Sequence, residues 1–173
     1  MKKEAAAAPN IFAKLQFEAV RGIRRLKFLL LEHRFFKDSE EGSALSASLP
    51  WPLSTLSLMF HIAETHALVL LRLPCYFVKL EAEIVGLFAI QEYHESLRVA
   101  SLGVAKEYRR LGIGTFILDY IETIAKHLDK RWVEVDVFGK NAPAQRLYTS
   151  YGFKFFQTNR MLYRMRKEIR IDH

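Results

Sequence analysis

Residues 102–114 read L-G-V-A-K-E-Y-R-R-L-G-I-G, and this stretch with its flanks decides the fold. A hydrophobic strand ends at Val104, a short basic turn follows, Gly112 and Gly114 stand two apart, and an amphipathic helix begins. Such a turn exposes several backbone N–H groups at a helix N-terminus, and glycine lets a ligand approach the backbone closely. Free N–H groups aligned with the helix dipole form an anion site. Arg109 and Arg110 add positive charge. The expected ligand is a phosphate or diphosphate; the plain alternative is an ordinary surface turn. The stretch is not a P-loop, which needs G-x-x-x-x-G-K-[ST]. Nor is it a dinucleotide fingerprint, whose third glycine would fall on Ile117.

Upstream, residues 76–80, 84–91 and 97–104 read as three strands, with a turn near Ala82 and Glu83 and a polar connection over 91–96. Pro74 closes a helical pattern over 54–71, and 38–52 reads as a loop. Residues 22–36 read as a helix with Ile23, Leu26, Leu30 and Phe35 inward and Arg24, Arg25, Glu32 and Arg34 outward. Residues 11–20 contain a weakly strand-like stretch, and 1–10 read as a flexible tail before a single domain over 11–173. Downstream, 113–127 read as a helix with a stripe of Phe116, Ile117, Tyr120, Ile121, Ile124 and Leu128. In a strand over 131–138, Val133, Val135 and Val137 share one face, and Glu134 and Asp136 the other. A short helix over 142–151 turns Ala144, Leu147, Tyr148 and Tyr151 inward, and 153–157 and 161–166 close the sheet. This order predicts an α/β fold, a mixed sheet with helices on both faces.

The composition fits that architecture. The chain has 173 residues, half of them hydrophobic and 26% charged, which suits one domain with a sizeable core and excludes disorder. One cysteine, Cys75, excludes a disulfide framework or a cysteine-rich zinc site, and reads as a small core residue. His61 and His66 are five apart, a spacing that does not share a helix face, so no metal is expected. No stretch resembles a signal-peptide core or a membrane span, and the expectation is a soluble cytoplasmic protein with no membrane partner. The net charge of +7 favours an anionic partner without choosing one.

A second block lies one helix and one strand beyond the first: N-A-P-A-Q-R-L-Y-T-S-Y-G-F, from Asn141 to Phe153. Together, Arg109-x-x-Gly112-x-Gly114 and this block resemble the Q/R-x-x-G-x-G/A and N-x-x-A-x-x-L-Y-x-x-x-G-F patterns of the GNAT superfamily, the acetyl-CoA-dependent N-acetyltransferases. The resemblance covers residues 76–166. It implies the GNAT fold, a mostly antiparallel central sheet, with acetyl-CoA as cofactor and an amine, on a protein or a small molecule, as acceptor.

The resemblance also implies roles. Leu102, Gly103 and Val104 would offer backbone groups to the pantetheine arm. Arg109, Arg110, Leu111, Gly112, Ile113, Gly114 and Thr115 would hold the diphosphate, and Asn141 would contact the cofactor arm. Tyr148 would stand near the thioester sulfur as general acid; the plain alternative is core packing, and both can hold at once. The pattern is nearest the ribosomal-protein N-terminal acetyltransferases, where a glutamate precedes the Asn…Tyr block. Asp136 stands at that position, one methylene shorter, as the expected base, directly or through a water. Glu134 is the second candidate, with Glu92, His94 and Glu95 behind it; a solvated strand carboxylate is the plain alternative. Trp51, Phe60 and Tyr93 are candidates to line the acceptor pocket. A basic module without catalysis, binding CoA or nucleic acid, is the competing class. The absence of a nucleic-acid motif argues against nucleic acid, and Tyr148 argues for catalysis. Assembly as a homodimer is left open.

Overall fold

The computed structural model describes residues 11–22, 24–37, 73–158 and 162–170. The helix expected over 54–71, the loop over 38–52, and Trp51, Phe60, His61 and His66 lie outside them. The elements are α1 (Ile11–Lys14), β1 (Leu15–Ala19), α2 (Arg24–Lys37), β2 (Cys75–Leu80), β3 (Glu83–Glu92), β4 (Ser96–Val104), a 3₁₀ turn (Lys106–Tyr108), α3 (Ile113–His127), β5 (Trp132–Phe138), α4 (Ala142–Ser150), β6 (Lys154–Thr158) and β7 (Leu162–Glu168). They form one seven-stranded sheet in the order β1-β2-β3-β4-β5-β7-β6. Every neighbouring pair is antiparallel except β4 with β5.

Two cores sandwich the sheet. On one face α3 buries Ile113, Ile117, Leu118, Ile121 and Ala125 against Val78, Phe88, Val133, Val135 and Met165. Each fully buried Ile or Leu contributes about 1.5–3 kcal/mol. On the other face α2 sets Phe28 and Phe35 on Phe77, Leu87 and Ala89. β3 is therefore buried on both sides from Val85 to Ile90, as its near-continuous apolar run requires. Edge strand β1 is held through Phe17, whose ring stacks on Tyr120 at 3.9 Å and Phe116 at 5.2 Å. Cys75 is buried, as expected, and burial pushes its thiol up to about 11.

Two sequence expectations need correction, and a third is refined. The strand-like stretch within residues 11–20 is β1, preceded by the single helical turn of α1. Leu26 and Leu30 do not face inward: they are 55% and 71% exposed, while Phe28 is fully buried. α2 carries apolar residues around much of its circumference, so its phase is ambiguous in sequence, and the large aromatics at 28 and 35, two turns apart, take the core. Leu128 is the C-cap of α3 rather than the end of its inner stripe, and is exposed. At the far edge, β6 is exposed at all five positions and bulges between Phe155 and Gln157.

The phase of α2 is testable by denaturant unfolding. Phe28→Ala should cost about 3–5 kcal/mol, whereas Leu30→Ala should stay within about 0.5 kcal/mol of the parent.

Candidate active site

The site begins with a break in the sheet. β4 and β5 pair only from Ser96↔Trp132 to Val99↔Val135. Both strands continue, β4 to Val104 opposite Gly86 and β5 to Phe138 opposite Leu162, so they part from each other. The cause is local. Ala89 faces Ser101 while Ile90 faces Val99, which leaves Ala100 as an extra residue. A bulge of this kind bends its strand and sharpens the twist, and this one falls immediately after the last β4–β5 pair. Leu102, Gly103 and Val104 thus flank an opening inside the sheet, partly buried and not paired to β5. In such parallel arrangements the crevice beyond the strands' carboxyl ends is where ligands bind.

Each parting strand feeds a helix. After β4 the chain makes its 3₁₀ turn and reverses through two left-handed residues, Arg110 at φ 62° and Gly112 at φ 84°. Gly112 is the N-cap of α3, with no side-chain cap, and its conformation favours glycine. Gly114 serves a different need: a Cβ there would lie 3.0 Å from Leu147 Cδ2, so its absence lets α4 close on the first turn of α3. The first turn of α3, the expected diphosphate cradle with Ile113 and Thr115, therefore stands beside the helix that carries Tyr148.

After β5, Asn141 caps α4, its Oδ1 accepting from Ala144 N–H at 3.1 Å, with a proline in the first turn. The expected cofactor contact is thus first a structural cap, a role that the Asn-Ala-Pro sequence itself signals. Gln145, not singled out from sequence, donates from Nε2 to the Phe138 and Gly139 carbonyls at 3.1 and 2.8 Å and ties α4 to the end of β5. Tyr148 is the one buried residue of α4, its ring 5.5 Å from Phe153. Burial pushes its hydroxyl above the ordinary tyrosine value, so it is a protonated phenol throughout the working range.

The two strand carboxylates share a face, as expected, and each meets an arginine from the neighbouring strand at its own register position. Asp136 Oδ1 accepts from Arg164 Nε at 2.7 Å, and Glu134 pairs with Arg98 at 3.5 Å. These arginines had no sequence signal, because register decides them. Asp136, Gln157, Leu162 and Arg164 enclose a small cavity of about 50 Å³. Of the weaker base candidates, Glu92 pairs with the buried Lys130 at 2.8 Å, at the opposite end of β4 from Val104. A larger hollow of about 460 Å³ adjoins Tyr108; Glu81, Glu83 and Lys14 line it, and with Lys14 paired to Glu81 at 3.0 Å its formal charge stays negative, which disfavours a diphosphate.

Behind the site, Tyr151 donates to Asp119 at 2.7 Å and Glu122 at 3.1 Å, and Lys167 reaches Glu122 at 2.6 Å, joining α3, α4 and β7. Burial raises the Glu122 carboxyl, but Lys167, Lys126 and the Tyr151 hydroxyl outweigh it and hold the group below the ordinary carboxylate range.

A sheet whose parallel central pair parts at its carboxyl ends, with a glycine-led helix after one strand and a buried-tyrosine helix after the other, defines the acetyltransferase class. The chain belongs to the acetyltransferase (GNAT) family, whose model matches residues 38–153. Among solved structures, a PaiA N-acetyltransferase from Thermoplasma acidophilum in complex with coenzyme A superposes at TM-score 0.71 with 14% identity, over 89% of this chain and 98% of that one. The ribosomal-protein-S18-alanine N-acetyltransferase from Escherichia coli does so at 0.62 with 14% identity, over 92% and 96%. An acetyltransferase from Thermus thermophilus does so at 0.65 with 20% identity, over 90% and 97%. No curated protein matches the chain in sequence. Among the described residues, no helix is long and apolar enough to cross a membrane.

A lowered carboxyl stabilises the fold above its unfolded value of about 4.3 and loses that contribution as pH falls through the lower folded value. Glu122→Gln should therefore lower the denaturant midpoint at neutral pH and flatten its decline in acid, read from midpoints measured across pH.

Proposed function

We propose that the chain transfers an acetyl group from acetyl-CoA to a primary amine by direct attack on the thioester. The observation that carries this reading is the opening between β4 and β5. A pantetheine arm bears amides that can replace the neighbour strand which Leu102, Gly103 and Val104 lack there. The N-terminus of α3 after Gly112 supplies N–H groups for the diphosphate. Arg110, exposed beside it, supplies charge.

In the reaction the amine nitrogen bonds to the thioester carbon, the carbon–sulfur bond breaks, one proton leaves the nitrogen and one is gained by the sulfur. A backbone N–H at the end of β4 polarises the carbonyl. Tyr148 faces the developing thiolate as a hydrogen-bond donor. Protonated at every working pH, it passes its proton to the sulfur as the carbon–sulfur bond breaks and regains one from solvent. Asp136 takes the amine proton through a water. One of its oxygens is held by Arg164, and the adjoining cavity exceeds the roughly 10–15 Å³ that one water needs. The acceptor is a protein N-terminus, a lysine or a small-molecule amine; the likeness to an enzyme named for a ribosomal-protein alanine supports the first. A reducing cytoplasm suits a chain with one cysteine.

Acetyl-CoA at about 100 times its Kd should stabilise the fold by about 2.7 kcal/mol, read as a rise in Tm. A screen of peptides, polyamines and small amines, followed by thiol release, should find the acceptor; CoA binding with no thiol released from any class would reduce the chain to a binding module.

Tyr148→Phe should lower kcat by about 10²–10⁴ with little change in acetyl-CoA affinity. Unchanged turnover with chemistry rate-limiting would leave Tyr148 a core residue. Asp136→Asn should cut kcat at neutral pH, leave the acetyl-CoA shift in Tm intact, and recover in part at high pH, where the amine is already neutral. Glu134→Gln should do little; the reverse ranking would move the base to Glu134.

A further inference from the structure

We propose that the Arg109 side chain is a positioning latch between α2 and the parting end of β4, and not a ligand of the diphosphate. The inference rests on the acetyl-CoA reading and reassigns one of its residues. Arg109 Nε donates to the Val104 carbonyl at 3.0 Å, and a terminal nitrogen of the same guanidinium donates to the Phe35 carbonyl at 3.2 Å. Val104 is the last residue of β4, beyond the point where β5 has left. Phe35 lies in the last turn of α2, where carbonyls have no amide of their own helix to accept from. A cation is favoured there by the negative end of the helix dipole.

A second contact joins the same two elements. Phe35 is buried, and a Cβ on Gly103 would lie 3.0 Å from its Cδ2. The last turn of α2 therefore touches the end of β4 twice, by a ring laid on Gly103 and by a carbonyl bridged to Val104. α2 and α3 cover opposite faces of the sheet. The loop after β4 is thus pinned from both sides: the Arg109 side chain reaches to the α2 face, while the backbone from Arg110 onward turns into α3. A planar guanidinium can direct two N–H groups at two carbonyls, which a lysine ammonium does less rigidly. The latch fixes where β4 stands across the opening, and so how the thioester lies against Tyr148.

The test compares acetyl-CoA with S-acetylpantetheine, which has no diphosphate. Arg109→Lys and Arg109→Ala should lower kcat/KM for both donors by the same factor, about 10–100-fold. Arg110→Ala should weaken acetyl-CoA alone, with the loss shrinking as salt rises. Without any donor, both Arg109 variants should speed amide hydrogen exchange over residues 31–37, and Gly103→Ala, which displaces Phe35, should do the same. Arg109 variants that impair acetyl-CoA but spare S-acetylpantetheine would make Arg109 a diphosphate ligand and overturn the proposal. Unchanged exchange over 31–37 would overturn it as well. Should Arg109→Ala not fold, Arg109→Lys carries both measurements. If the parent binds neither donor, the acetyl-CoA reading fails by itself, and the exchange experiment still decides the latch.

Discussion

One extra residue in β4 organises the molecule. Ala100 has no opposite number on β3, and the bend it makes ends the only parallel pairing among the described strands after Val99. A sheet that stayed closed there would offer two smooth faces and no slot. Because the strands part, two loops at the same end of the sheet face a common opening, and each can deliver a helix to its rim. The cost is backbone left without strand partners in the middle of a fold, which persists because the elements around it are over-determined.

That over-determination is distributed. Gly112 turns the chain into α3, Gly114 admits α4 against it, and Asn141 and Gln145 fix where α4 starts. On the far side the Tyr151–Glu122–Lys167 cluster holds both helices to β7. The site side chains are therefore placed by elements whose own ends are capped or packed, which keeps Tyr148 in one setting despite lying on a helix of nine residues.

Much of this is legible in the sequence, and the misses have physical reasons. α3 has a single apolar stripe, and β5 alternates cleanly between valine and carboxylate, so both can be read from period alone. α2 is apolar on too many sides for its phase to be read, and only Phe77 and Leu87 on the sheet decide that Phe28 goes inward. The two blocks of residues point to the proposed site, but not to how their side chains are held. The resemblance implies Arg109 as a diphosphate ligand, and nothing in the sequence shows that its guanidinium also reaches carbonyls from two distant segments. Arg164 and Arg98 are invisible, because a cross-strand partner depends on register, and register depends on every turn and bulge between the strands.

The edges of the sheet bear on how the protein behaves when concentrated. A free edge of backbone N–H and C=O groups is a template on which another chain can polymerise. β6 carries Phe155 and Phe156 in the open, an adhesive pair, yet the irregularity between Phe155 and Gln157 breaks the edge where a docking strand would need it straight. At the other edge β1 is five residues long, and its Glu18 is paired with Arg24 and Lys79. Those pairs hold the Glu18 carboxyl at about 2 and place formal charge along the rim. Among the described residues, then, a backbone irregularity at one margin and paired charges at the other stand against edge-to-edge growth.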